Sequence, residues 1–241
     1  MTPARLPYLT LECRLAFEGE GTLSGFFENT LRGMFGLSLR EIACVTRAPT
    51  CDGCTLAASC VYAQTLTPHA PDGTMLTGVG SAPPPYLFFC GRDDWNSSPW
   101  HARPGVETPV YLRLFGQSLV QLPYYVHAIL RMQERGLGRD RVAFAVRGIV
   151  SVPGGEILYT PEDPDRMHLP SAFSGLEVDP DALLAEGAPR DAVITCISPL
   201  RLQKDGRILR RPTAEVFFHA LLRRIAVLFE CYGPSALSWD Y

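Results

Sequence analysis

Apolar and polar residues alternate from Tyr8 to Phe17 in YLTLECRLAF, and a period of two predicts a half-buried β-strand. The period then lengthens. From Ser24 onward, Phe27, Leu31, Met34, Phe35 and Ile42 fall near one face, which predicts an amphipathic helix with Ser24 as its cap. YLFFCGR and PVYLRLFGQSL read as two further strands. VQLPYYVHAILRMQERGLG reads as a helix that tolerates Pro123 in its first turn and ends at Gly136 or Gly138. RVAFAVRGIVSV closes the series as a strand, and DDWNSSPWHARPGVET reads as a loop.

The order strand, helix, strand, strand, helix, strand is the split βαβ, or ferredoxin-like, arrangement. Residues 1–152 form this first domain, with a cysteine-rich insertion at 44–85. Residues 153–190, rich in Pro, Gly and acidic side chains, read as a hairpin and connections. At 191–241 the pattern restarts with the strand AVITCISPLRL, a turn at KDGR and the helix AEVFFHALLRRIAVLFECYG, and it stops before a second unit is completed. The expected fold is therefore α+β, with tandem ferredoxin-like (RRM-like, βαββαβ) domains, a metal-binding insertion and an incomplete second domain.

Composition narrows the function. The chain has 241 residues, 46% of them hydrophobic, with a formal net charge of −3, so a nucleic-acid contact must come from local patches. The start of the chain carries charges and alternates, which does not match a signal peptide. The most apolar run, Val216 to Tyr232, is interrupted by Arg223 and Arg224 and is short for a membrane crossing. These features point to a cytoplasmic protein with no membrane partner.

Four of the eight cysteines, Cys13, Cys90, Cys196 and Cys231, stand singly, and those on apolar strands or helices read as buried thiols. Cys44, Cys51, Cys54 and Cys60 form C-x6-C-x2-C-x5-C, and in a reducing compartment such clusters more often bind metal than pair. Four thiolates suit a closed tetrahedral zinc site or a [4Fe–4S] cluster, and the spacing does not choose between them. Either way the protein fills every ligand position, so the metal is structural and not catalytic.

The strongest local charge is RLQKDGRILRR. Arg201, Lys204, Arg207, Arg210 and Arg211 oppose only Asp205. A strand turning at Asp205-Gly206 would display them along a ridge suited to backbone phosphates, with Arg223 and Arg224 extending it. A charge-protected edge strand is the plainer account. No P-loop, nucleophile elbow or H-E-x-x-H motif is present.

Three stretches, Leu31 to Tyr62, Tyr111 to Phe144 and Ile197 to Gly233, taken in order, resemble the CRISPR-associated RAMP endoribonucleases that process precursor CRISPR RNA. The resemblance implies tandem ferredoxin-like domains, binding of a repeat stem-loop and metal-independent cleavage by the ribose 2′-OH. It also implies retention of the mature guide RNA in an effector complex with other subunits. The alternative it allows is a RAMP subunit that caps the RNA hairpin without cutting.

The chain departs from the family in two places. It shows no terminal Gly-rich loop, and Leu37, in FGLSL, stands where the family often has a histidine. Some members, in type IV systems, rely on arginines instead, so Arg32 and Arg40 become the leading catalytic candidates. They lie eight residues apart, about 80° around the helix. The plainer account makes both of them solvated surface charges. His101, in a loop beside tryptophan and arginine, is the remaining catalytic candidate. His127 and His219 read as partly buried, and His69 and His168 as solvated.

Overall fold

The structure, a computed structural model, describes residues 4–70, 82–90, 99–164, 166–178, 193–196, 200–204 and 207–234. Its centre is an antiparallel sheet of β1 (Ala4–Phe17), β3 (Tyr86–Cys90), β5 (Glu107–Phe115), β6 (Phe144–Val152) and β7 (Ile157–Tyr159), in the order β3-β5-β1-β6-β7. β8 (Ser174–Val178) pairs with the first residues of β1, Ala4 to Tyr8. β2 (Gly21–Leu23) pairs with β4 (Trp100–Ala102), so part of the segment expected as loop is a strand. Trp100 explains it, since its indole packs edge-on against Phe17 and Phe27 at 5.4 Å.

The alternation in β1 works as expected. Leu9, Leu11, Cys13, Leu15 and Phe17 are buried on one face, beneath α1 (Phe27–Ala43) and α3 (Leu122–Met132). α1 contributes Phe27, Leu31, Phe35 and Leu39 to the shared core, and α3 contributes Tyr125, Val126, Ile129 and Met132. Burying each such side chain stabilises the fold by about 1.5–3 kcal/mol. The α1 cap differs from expectation. Phe26 holds that position without a side-chain bond, and Ser24 Oγ instead accepts from the Phe26 N–H at 3.2 Å, one turn before the helix starts.

The short α2 (Val61–Leu66) is tied to α3 through Thr65, whose hydroxyl lies 2.8 Å from that of Tyr125, and the Tyr125 phenol donates to Gln121 at 2.8 Å. Burial pushes the Tyr125 hydroxyl up to about 12. Glu41, near the end of α1, pairs with Arg135 and lies 3.8 Å from Arg131, so both ends of the layer are fastened.

Beyond the sheet the expected second unit is thin. Of the expected strand AVITCISPLRL, residues 193–196 form no strand and pair with none among the described residues, Val193 and Ile194 are exposed, and residues 192 and 197–199 lie outside the described residues. The hairpin consists of β9 (Gln203–Lys204) and β10 (Arg207–Ile208), while the Asp205-Gly206 turn lies outside the described residues. α4 (Ala214–Tyr232) packs its C-terminal half on β1 and on the 3-10 turn Gly116–Gln121. That contact needs glycine at 116. Its φ is +56°, and a Cβ there would collide with the Tyr232 carbonyl. Among the described residues no helix is long and apolar enough to cross a membrane.

Candidate functional site

α1 turns Leu31, Phe35 and Leu39 inward, and the same periodicity turns Arg32 and Leu37 outward, with Arg40 half-buried. Arg32 and Arg40 line one open groove of about 360 Å³ between α1 and α2, with Leu37 between them and Tyr62 on the far wall. The predicted pairing of the two arginines on one surface is therefore present.

Their guanidinium groups do different things. Arg40 donates to the carbonyl oxygens of Ala48 and Pro49, the latter at 3.0 Å, and its guanidinium carbon lies 5.7 Å from the Tyr62 ring centre. It is committed to holding a loop. Arg32 is exposed and lies 6.0 Å from the Tyr86 ring centre. Tyr86 is only 7% exposed, and its hydroxyl makes no close hydrogen bond among the described residues, although the Arg32 guanidinium is near enough to make a weak one. Burial raises the Tyr86 hydroxyl above its ordinary value, opposed by the Arg32 charge and by that weak hydrogen bond, so it stays protonated at neutral pH and can donate.

A second cation, Arg224 on α4, is within electrostatic reach of Arg32. Arg224 is exposed, and partial desolvation, the largest cause, lowers it from the ordinary arginine value. The like charge of Arg32 acts the same way, and Tyr232 and Cys231 oppose. Tyr232 is fixed by its hydroxyl, which donates to the Pro83 carbonyl at 2.5 Å. Arg32 thus lies beside the Tyr86 ring and within electrostatic reach of Arg224 on α4. Sequence reading found Arg32 but passed over Tyr86, because a tyrosine in YLFFC looks like core. The only signal was a hydroxyl in an otherwise apolar strand.

The four clustered cysteines also come together. Cys44 ends α1, Cys60 caps α2, and Cys51 and Cys54 lie on the turn between them. All four line one cavity of about 250 Å³. The Cys51 thiol is raised, first by burial and then by the Cys60 thiol beside it, with Cys44 and Cys54 acting the same way. Cys44 is lowered, chiefly by its contact with the Thr46 hydroxyl at 3.8 Å. Among the described residues no three Cys, His, Asp or Glu side chains are already arranged as a metal-ligand set. Of the single cysteines, Cys13 and Cys90 are buried as expected, whereas Cys196 is exposed.

His101 is not part of the groove lining. It sits on β4 opposite Thr22, and its Nε2 lies 2.8 Å from Glu20, which the interaction pulls below the usual carboxylate range. His127 and His219 were expected to be partly buried, but their positions on α3 and α4 point to solvent, and all five histidines are exposed.

The basic ridge is exposed at Arg201, Arg207, Arg210, Arg211 and Arg223, and β9 and β10 set Lys204 directly opposite Arg207. The open face of the sheet adds an unforeseen cluster. Phe89 and Tyr111 stack at 5.0 Å, and Arg113 lies 5.0 Å from the Tyr8 ring centre and 5.3 Å from that of Phe89.

The family model AF_1859_N, described as an N-terminal domain, matches residues 6–171. The chain belongs to the AF_1859_N family. The match spans most of the central sheet, the cysteine cluster and both α1 arginines. Arg224 and the basic ridge lie beyond the part matched by AF_1859_N. Among curated proteins, none matches the chain.

Proposed function

We propose that this protein is a CRISPR-RNA-processing endoribonuclease of RAMP type, acting in the cytoplasm on the repeat stem-loop of precursor CRISPR RNA. The observation that carries the reading is the exposed Arg32 of the α1 groove, set beside the Tyr86 ring and within electrostatic reach of Arg224. Two like charges within electrostatic reach of one another repel, and an anion bound between them would relieve both. A phosphodiester is such an anion, and arginine can grip two of its oxygens at once. Strand order β3-β5-β1-β6, with α1 and α3 in the two crossovers, supports a ferredoxin-like reading of the first domain.

The ridge from Arg201 to Arg211, with Arg223, binds the backbone of the stem, and the phosphate to be cut lies at Arg32. The 2′-oxygen bonds to phosphorus while the bond to the 5′-oxygen breaks. This leaves a 2′,3′-cyclic phosphate and a 5′-hydroxyl. Arg32 and Arg224 stabilise the charge that grows on the phosphate oxygens, and Tyr86 donates to one of them. Among the described residues the groove lining holds no imidazole, so solvent takes the 2′ proton and supplies the one that the 5′-oxygen needs. Arg40 acts indirectly, by fixing the Tyr62 wall. The product stays on the ridge and enters an effector complex with other CRISPR subunits.

A specific observation favours a second reading, a RAMP subunit that caps the RNA without cutting. Leu37, 52% exposed, occupies the groove where a histidine would stand, and the His101 ring is engaged by Glu20. Incubation with CRISPR repeat RNA from the same genome, in EDTA, separates the two. A 5′-hydroxyl and a cyclic phosphate support the enzyme. Tight binding of uncut RNA supports the capping subunit, and absence of binding at low salt removes both.

A further inference from the structure

From Cys44 to Cys60 the chain makes a succession of tight turns with no fully buried residue. Only six positions are even half-buried, namely Cys44, Ala48, Cys51, Cys54, Ala57 and Cys60. Four of the six are the cysteines, and all four line one cavity of about 250 Å³. Leu56, the bulkiest aliphatic side chain on the Cys51–Cys60 turns, is 43% exposed. The segment therefore has a defined inside, but that inside is sulfur and methyl groups and not a core. A segment that buries so little apolar surface does not offset the entropy of ordering it.

The backbone is nonetheless arranged around the thiols. The Cys54 N–H donates to the Cys51 carbonyl at 3.1 Å, closing a Cys-x-x-Cys turn in which Gly53 takes φ +69°. The next turns run from Ala57 N–H to Cys54 at 3.1 Å and from Cys60 N–H to Ala57 at 3.4 Å. Arg40 donates to Ala48 and Pro49 and fixes the strand of chain between Cys44 and Cys51.

We propose that Cys44, Cys51, Cys54 and Cys60 bind one divalent metal ion as thiolates, zinc by its chemistry, and that this ion ties the end of α1 to the start of α2. Four protein sulfurs complete a tetrahedral shell, so the site is closed and structural. The thiols are not preassembled as a ligand set. Rotation about χ1 swings each sulfur across the cavity, and ligation is coupled to the final ordering of the turn. Zinc carries no redox demand, and a lone ion needs less space than an iron–sulfur cluster. Tyr62, two residues after Cys60, carries the constraint to the Arg32–Arg40 groove. The inference stands on the thiols alone and does not depend on the RNA reading.

The test is metal analysis of the full chain, purified from zinc-containing medium without chelator. The expected result is about one zinc per chain, colourless protein, and four thiols that react only after a strong chelator removes the metal. Cobalt exchanged into the site should give the spectrum of a tetrahedral thiolate complex. Cys51→Ser and Cys54→Ser should lose the metal, and the exposed Cys196→Ser should keep it. Stripped wild-type protein, which needs no variant to fold, should become protease-sensitive between Cys44 and Cys60 and recover on adding zinc alone. Metal-free protein with four freely reacting thiols would overturn the proposal. So would a disulfide among the four, or iron and acid-labile sulfide in place of zinc.

Discussion

The guanidinium carbon of Arg32 lies 6.0 Å from the centre of the Tyr86 ring, and Tyr86 carries a buried hydroxyl that makes no close hydrogen bond among the described residues and has only a weak one with Arg32. A poorly satisfied buried hydroxyl weakens the free protein and is useful only when something arrives to accept from it. Tyr86→Phe should therefore leave the free protein as stable as before or more so, by up to about 1 kcal/mol, while weakening RNA binding. Urea unfolding and a binding titration of the same variant measure both. A loss of stability of similar size would mean that the hydroxyl is already bonded.

The ridge should behave as a phosphate track. Alanine at Arg207 or Arg211 should weaken binding to a similar extent for every RNA sequence. Each change should lower the slope of log affinity against log salt by about 1. Unequal losses between sequences would indicate base recognition in place of backbone contact.

Docking of α4 on the 3-10 turn sets the position of Arg224. Gly116→Ala forces a Cβ into the Tyr232 carbonyl and a side chain onto a φ of +56°. It should cost about 1–3 kcal/mol of stability and lower RNA affinity together, because Arg224 moves away from Arg32. Full stability with intact affinity would show that α4 does not place Arg224.

With no imidazole lining the groove among the described residues, cleavage should not show the bell-shaped pH profile of a paired acid and base. The rate should rise steadily through neutral pH as solvent hydroxide removes the 2′ proton. A rate that levels off near pH 7 would reveal a histidine acting on the RNA, and His101→Ala would identify it or exclude it.

Much of this was legible in the chain. The period-two run of β1 and the stripe of Phe27, Leu31 and Phe35 on α1 report burial directly, because each element has a single apolar face. Cysteine spacing likewise brought Cys44, Cys51, Cys54 and Cys60 to one cavity. What failed was long-range. Nothing local in WHA says that Trp100 will find Phe17 and Phe27 and make a strand of its neighbours. Nothing local in VITC says that these residues will pair with no strand among the described residues. The electrostatic influence of Arg32 on Arg224 links residues 192 positions apart, and the docking of α4 brings it about. Arg40, equally plausible on the helix, is taken up by the Ala48 and Pro49 carbonyls, which periodicity cannot foresee.

The central claim is that Arg32 and Arg224 hold the same phosphate, and a double-mutant cycle on RNA affinity tests it most directly. Arg32→Ala and Arg224→Ala should each weaken binding by about 1.5–3 kcal/mol, the range for hydrogen bonds to charged groups. The double variant should lose less than their sum, with a coupling of about 0.5–3 kcal/mol. Strictly additive losses, or no loss from either change, would contradict a shared phosphate.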